Sequence, residues 1–210
     1  MKGIILFFLI SISSNSFSQK IQGTEIGFDG FFGASTLGGS FGIGPKFGFV
    51  LNENLILGPS FRYQRNWSSN YYAATKYHYN NYGGGFFLHA RYKNVIFGGF
   101  EMEVLKTANT YIDASAVFKK VVPTLFICAG FSKEFNGIVR LNVGFYYDVI
   151  NSKNSPFRSA YIIPIKNAQS GAVQGYIPLI YRISFFFPLT HNTKQTKSKK
   201  IEEEPVEETW

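Results

Sequence analysis

Ionisable side chains recur inside stretches where apolar and polar residues alternate, and they occupy the polar phase. In 138–150, Val139 and Leu141 share one phase, while Arg140 and Asp148 lie on the other. Acids and bases balance across this set, so the charges can neutralise one another if the stretches enclose a common interior. A network of ion pairs is the simplest chemistry, and a proton relay or a catalytic site is the alternative. The set comprises Glu25, Asp29, Lys46, Arg62, Arg91, Glu101, Glu103, Arg140, Asp148 and Arg182.

Residues that commonly carry catalysis or bind metals are scattered. His78, His89 and His191 fall in a predicted loop, a strand and the tail, without ligand spacing. Cys128 is the single cysteine, which excludes an intramolecular disulfide, and it is predicted to be a small buried hydrophobe. Motifs of serine hydrolases, zinc proteases and phosphate-binding loops are missing. We therefore expect no catalytic residues, no metal site and no cofactor.

A second set of charges is basic and falls near or within the long connections between the alternating stretches. It accounts for much of the formal net charge of +8. Such a rim would face the anionic phosphates of surface lipid or polysaccharide, or would only neutralise head groups at the interface. Nucleic acid is not an expected partner. The candidate anionic-surface contacts are Arg65, Lys76, Lys106, Lys119, Lys120, Lys153, Arg158 and Lys166.

Strands must position both sets, because alternation with period two is a strand pattern. The stretches exceed the ~5–6 residues common in globular sheets and suit the ~9–11 tilted residues that cross a bilayer. Short links (52–54, 93–94 and 133–137) alternate with long ones (67–78, 108–120 and 151–176), as in outer-membrane barrels with periplasmic turns, and only the first link, 35–39, departs from this rule. The predicted strands are 24–34, 40–51, 55–66, 79–92, 95–107, 121–132, 138–150 and 177–189.

These strands predict an all-β fold, an eight-stranded antiparallel up-and-down transmembrane β-barrel with a filled polar lumen. Hydrocarbon tolerates no open sheet edge, so the sheet must close. A charge facing lipid at the midplane costs ~2–4 kcal/mol, which assigns the charged phase to the inside. The outward phase then carries aromatic side chains suited to interfacial girdles. These are Tyr63, Tyr82, Tyr92, Tyr147 and Tyr181.

The chain divides into three parts. Residues 1–18 form a predicted signal peptide, in which Lys2 precedes an apolar run and Ser16-Phe17-Ser18 offers a cleavage site. Residues 19–189 form the barrel. Residues 190–210 are lysine- and glutamate-rich, and we expect a disordered periplasmic tail, with a partner-binding role left open.

Two segments, Gly58-Pro59-Ser60-Phe61-Arg62-Tyr63 and 143–149 (VGFYYDV), resemble small outer-membrane β-barrel proteins of Bacteroidetes-type bacteria. The chain is more distantly similar to OmpX- and OmpA-type barrels. This resemblance covers residues 19–189 and implies a Gram-negative outer membrane with both termini in the periplasm. Phe185 and Phe187 resemble the terminal signal of barrel substrates, which implies the barrel-assembly machinery as a partner in biogenesis.

The expected function is a non-catalytic surface barrel whose basic loops contact lipopolysaccharide, polysaccharide or another protein. Three alternatives remain open. One is an outer-leaflet lipid-modifying enzyme built on His78 near Ser68 and Ser69. Another is a narrow passive pore. The last is a soluble lipid-carrying barrel, which would reverse the phase by placing apolar side chains inside.

Overall fold

The computed structural model describes residues 21–35, 38–70, 75–107, 121–152 and 155–189. The predicted signal peptide and tail lie outside these ranges. A short 3-10 helix spans Arg158–Ala160. The strands are β1 Gly23–Ser35, β2 Gly38–Asn52, β3 Leu55–Asn70, β4 Thr75–Tyr92, β5 Ile96–Lys106, β6 Val121–Phe135, β7 Val139–Asp148, β8 Ile163–Lys166, β9 Val173–Ile177 and β10 Leu179–Pro188.

Eight of these strands close into one antiparallel barrel, in the order β1, β10, β7, β6, β5, β4, β3, β2. Each barrel strand therefore pairs with its neighbours along the chain, and β1 meets β10 to complete the ring. The pair β8 and β9 forms a separate two-stranded sheet. The predicted all-β, eight-stranded closed antiparallel barrel is confirmed.

The ring is joined unevenly where its first and last strands meet. The β1–β10 ladder runs from Glu25↔Pro188 to Gly30↔Ile183, whereas β1 pairs with β2 along its whole length to Ser35. Above the end of the ladder, the hydroxyl of Tyr181 donates a hydrogen bond to the carbonyl of Phe32. A side chain thus continues the junction where strand pairing stops.

Tight turns connect the strands at one rim. Lys93 and Asn94 both have positive φ values, 48° and 52°, as a type I′ turn between antiparallel strands requires. Asn136 and Gly137 follow the same pattern between β6 and β7, with φ of 51° and 66°. We call this end of the barrel the short-turn rim.

Two of the long connections differ from their predicted form. The link predicted at 67–78 is mostly strand, since β3 continues to Asn70 and β4 starts at Thr75. The sequence loses its apolar alternation after Trp67, at Ser68-Ser69-Asn70, while the backbone ladder continues to the pair Asn70↔Thr75. The link predicted at 151–176 contains the 3-10 helix, β8 and part of β9, because β-branched residues flank a turn at Gly171. The link predicted at 108–120 lies outside the described residues.

Side chains on the barrel wall separate by phase. Inward positions bury charged and polar groups, while outward positions leave large apolar groups exposed, as at Phe131 with 72% and Phe145 with 57% exposure. Among the residues that the structure describes, no helix has the length and hydrophobicity to cross a bilayer. The exposed outward set, called the apolar belt, includes Phe28, Ile43, Phe47, Leu57, Phe61, Phe86, Phe100, Met102, Ile127, Phe131, Val143, Phe145, Ile183 and Phe185.

Glycine lets neighbouring strands approach closely at two inward positions. A Cβ added at Gly58 would lie 1.8 Å from the carbonyl oxygen of Phe47, and one at Gly85 would lie 1.8 Å from that of Met102. Backbone of the adjacent strand therefore occupies the volume that a side chain would need. Neither position accepts another residue without moving a strand.

Candidate functional site

Six charged side chains from five strands meet in the barrel interior, and we call them the central cluster. Inward alternation along each strand brings them there, and none is more than 3% exposed. Acids and bases are equal in number, so the cluster is formally neutral. Its members are Asp29, Lys46, Arg62, Glu101, Glu103 and Arg182.

Two arginines carry most of the bonds of the central cluster. Arg62 Nη2 lies 2.8 Å from Asp29 Oδ2 and 2.7 Å from Glu103 Oε1. Arg182 Nη1 lies 2.8 Å from Glu101 Oε2 and 3.1 Å from Glu103 Oε1. Each acid is shared between bases, so the removal of one base leaves more than one carboxylate short of a partner.

Lys46 and His89 complete the contacts on the same acids. Lys46 Nζ lies 3.2 Å from Asp29 Oδ2 and also donates a hydrogen bond to Glu101. His89 Nε2 lies 2.8 Å from Glu101 Oε1, with its ring 5.1 Å from that of Phe87. Glu101 therefore contacts a lysine, an arginine and a histidine, and Asp29 contacts a lysine and two arginines.

Two further pairs lie outside the central cluster. Arg91 forms a bidentate pair with Glu25, at 2.9 and 2.7 Å. Arg140 bonds Glu134, its register partner on β6, and its Nη1 donates to Asn94 at the short-turn rim. Sequence reasoning missed Glu134 because it assigned 133–137 to a turn, whereas β6 continues to Phe135. Extending the alternation of β6 by one step would have found it.

Asp148, grouped with the interior charges by its phase, binds a loop. Its carboxylate accepts hydrogen bonds from the hydroxyls of Ser155 and Tyr161, each at 3.0 Å, and from the backbone N–H of Asn151 at 3.1 Å. Burial raises the pKa of Tyr161 above that of an ordinary phenol, so this hydroxyl remains a donor. Asp148 thus fastens the start of the connection that follows β7 to the barrel.

That connection folds over the mouth of the barrel, and we call residues 155–161 the cap. Phe157 is fully buried, with its ring centroid 4.9 Å from that of Phe126 and 5.7 Å from that of Phe31. Two polar contacts hold the cap to β3. Gln64 donates to the carbonyl of Pro156 at 2.7 Å, and the Ser159 hydroxyl donates to Asn66 Oδ1 at 2.7 Å.

The cap also touches the central cluster through Arg182. The guanidinium carbon lies 4.5 Å from the ring centroid of Phe126, 4.7 Å from that of Tyr146 and 5.2 Å from that of Phe157. Cation–π attraction to Phe157 therefore couples the cap to the ion pairs beneath it. Sequence reasoning missed Phe157, and its only signal was an apolar Pro-Phe step inside a polar connection.

Only some of the candidate anionic-surface contacts lie within the described residues. Arg65 on β3, Lys166 on β8 and Lys106 on β5 are exposed, and Lys106 Nζ lies 5.6 Å from the ring centroid of Tyr82. Arg158 is half-buried and donates to the carbonyl of Ser152 at 3.2 Å, so it serves the cap. The side chain of Lys76 and the whole of Lys119, Lys120 and Lys153 lie outside the described parts.

The remaining candidates are not assembled into a reactive centre by the parts of the chain that the structure describes. His78, expected in a loop, lies exposed on β4 opposite Trp67, while the side chains of Ser68 and Ser69 are not described. Cys128 is buried in the barrel interior. Within the described ranges, no group of three or more His, Cys, Asp or Glu residues could hold a metal ion. The inward arrangement is suited to holding strands together.

Neither a protein-family model nor a curated protein matches the sequence. The closed barrel, its two faces and the cap are the features that bear on its function.

Proposed function

We propose that this chain is an exported outer-membrane β-barrel with a non-catalytic role in surface interaction. The observation that carries the proposal is the division of side chains across the wall, in which the central cluster is buried inside and the apolar belt is exposed outside. The short-turn rim and both termini face the periplasm, and the long connections face outward. The barrel-assembly machinery is the partner in biogenesis.

Physical chemistry favours a membrane for such a surface. A continuous apolar belt of this extent is a liability in water, where monomeric proteins rarely expose patches above a few hundred Å². Hydrocarbon suits the belt, and a closed ladder satisfies the backbone groups that lipid cannot. A soluble lipid carrier would need the opposite arrangement, with apolar groups lining a cavity and charges outside.

The barrel interior supports a static role. Ion pairs bridge it from β1, β2, β3, β5 and β10, and the cap packs Phe157 over them. Eight strands leave an interior just wide enough for side chains. Interaction with other molecules therefore falls to the outer surfaces, where the exposed bases Arg65, Lys106 and Lys166 offer contacts for anionic glycolipid.

Cell fractionation and gel migration test the membrane assignment. The protein should remain with the outer membrane until detergent is added, and it should migrate faster unheated than boiled, because a closed barrel resists denaturation by detergent. Recovery from the soluble periplasmic fraction without detergent would contradict the proposal.

Binding to lipopolysaccharide tests the surface role. Lys106→Gln combined with Lys166→Gln should weaken binding several-fold at low salt, with less effect as salt shortens the screening length towards ~8 Å and below. Lys133→Gln, an exposed lysine near the short-turn rim, is the matched control and should leave binding unchanged. Equal binding by the double variant and the parent would leave these bases without a recognition role.

A further inference from the structure

The outer wall carries an apolar groove across β2, β3, β4 and β5, with a volume of about 510 Å³. Its lining is almost entirely carbon, and it opens within the apolar belt. The groove volume lies in the range of ~300–1,000 Å³ typical of small-molecule sites. The side chains that define it are Phe49, Leu57, Pro59, Phe86, Leu88 and Phe100.

Backbone geometry builds this groove into the wall. Gly58 and Gly85, where neighbouring backbone occupies the side-chain volume, form part of its lining. The rings of Phe86 and Phe100 meet edge to face, with centroids 6.1 Å apart, and fix one side. Because paired strands and edge-to-face rings already hold the groove open, few side chains need to be ordered when a ligand enters.

The outward face of β4 leads from the groove to the short-turn rim. The outward phase of β4 runs from Leu88 through Ala90 to Tyr92, and Ala90 pairs with Gly98 on β5. At the end of this path, Lys93 is exposed in its left-handed turn, with Nζ 5.1 Å from the ring centroid of Tyr92. An ammonium group therefore stands at the rim in line with the groove.

The spacing between groove and lysine matches one half of a bilayer. Lys93 lies five positions after Leu88 in the sequence, which corresponds to about 17 Å along a strand. A strand tilt of about 35–45° reduces this to roughly 12–14 Å along the membrane normal. The hydrocarbon core is about 30 Å thick, so half of it is about 15 Å. A phosphate at Lys93 thus brings the distal part of its acyl chain to the edge of the groove at Leu88.

We propose that the groove binds one acyl chain of an anionic diacyl phospholipid whose phosphate contacts Lys93. The inference rests on the proposed membrane insertion and adds a defined lipid site in the periplasmic leaflet. Shape and apolar lining select the chain, and the positive charge at the rim selects the phosphate. The lipid fills a concavity that bulk chains would pack poorly.

Native mass spectrometry of the full-length barrel, delipidated and titrated with dipalmitoylphosphatidylglycerol, tests the site. Leu57→Trp fills the groove and should lower the affinity for the first lipid at least tenfold. Its control is Leu125→Trp, an outward leucine on β6, which should bind as the parent does. Lys93→Gln should lower the affinity at least threefold, while Lys93→Arg, which keeps the positive charge in the same turn, should bind as the parent does.

The outcomes separate this site from membrane insertion itself. If the groove variants and their controls bind alike, the wall meets only bulk lipid and the proposed site is wrong, whereas fractionation with the outer membrane would still support insertion. If the parent fails to fractionate with membranes, the proposed function is wrong. Heat-modifiable migration checks the folding of each variant. Should Leu57→Trp not fold, the comparison of Lys93→Gln with Lys93→Arg decides, because the two variants differ only in the charge at the rim.

Discussion

The central cluster and the cap lie against each other in the barrel, yet they are held by different means. Strands place the cluster, whose six charged members are fixed by ladders and by shared ion pairs. The cap is a connection without ladder pairing, held by the buried rings of Phe157 and Tyr161 and by a few hydrogen bonds. Loss of a cluster contact should therefore lower the free energy of unfolding of the whole barrel. Loss of a cap contact should shift only the local equilibrium between the docked and undocked cap.

The largest effect should follow from loss of a shared arginine. Arg62→Ala leaves Asp29 and Glu103 each short of a buried partner, which we expect to lower the free energy of unfolding by about 3–5 kcal/mol. Urea titration of the barrel in lipid vesicles measures it. Arg65→Ala, on the outer face of the same strand, should change it by less than about 0.5 kcal/mol. Equal effects would remove the distinction between the two faces.

A smaller and more local effect should follow from loss of the buried cap ring. Phe157→Ala removes the contacts with Phe31 and Phe126. It should weaken cap docking by up to about 3 kcal/mol, which is the low end of the cost of truncating a buried phenylalanine to alanine. Hydrogen exchange should accelerate in the cap while the strands remain protected. Phe131→Ala, on the exposed belt, serves as control. Loss of protection throughout the barrel would show that cap and cluster form one unit.

High pH should loosen the cap through Tyr161. When the cap is undocked, the Tyr161 phenol has an ordinary pKa of about 10. Burial raises its pKa when the cap is docked. Docking is thus unaffected by Tyr161 below about pH 10 and weakens above it, by up to about 1.4 kcal/mol per pH unit. Cap hydrogen exchange, corrected for its intrinsic pH dependence, measures this. Tyr161→Phe should remove the extra opening, and an unchanged profile would assign the titration elsewhere.

The smallest change should come from the pair at the short-turn rim. Arg140 is 11% exposed and its partner Glu134 is 34% exposed, so water screens the pair and supports each charge when the other is removed. Arg140→Ala should lower the free energy of unfolding by only about 0–1 kcal/mol in the same urea titration. A loss as large as that of Arg62→Ala would extend the central cluster to the rim.

Sequence alternation was enough to locate charges but not to pair them. The phase of β3 and β5 placed Arg62 and Glu103 on the inward face, because a strand has only two faces. The shared bonds among Asp29, Arg62 and Arg182 depend on barrel closure, which brings β1, β3 and β10 together. No local pattern encodes those distances.

The cap and the groove escaped prediction for a related reason. Phe157 is one apolar residue in a polar connection, and its burial depends on partners from β1 and β6 that are remote in sequence. The groove depends on how Gly58 and Gly85 let adjacent strands approach. In the sequence these glycines are indistinguishable from others. Alternation is a property of one strand, whereas both features are properties of several.

The junction of β1 with β10 has a kinetic consequence. Its ladder joins Gly30 to Ile183, near opposite ends of the described chain, so it is the pairing with the highest loop-closure entropy in the barrel. We expect it to form last during assembly. Phe157 packs between Phe31 on β1 and Phe126 on β6, so the cap cannot dock until that pairing exists. Burial of Phe157 is then a reporter of completed closure, and its time course should coincide with the slowest refolding phase.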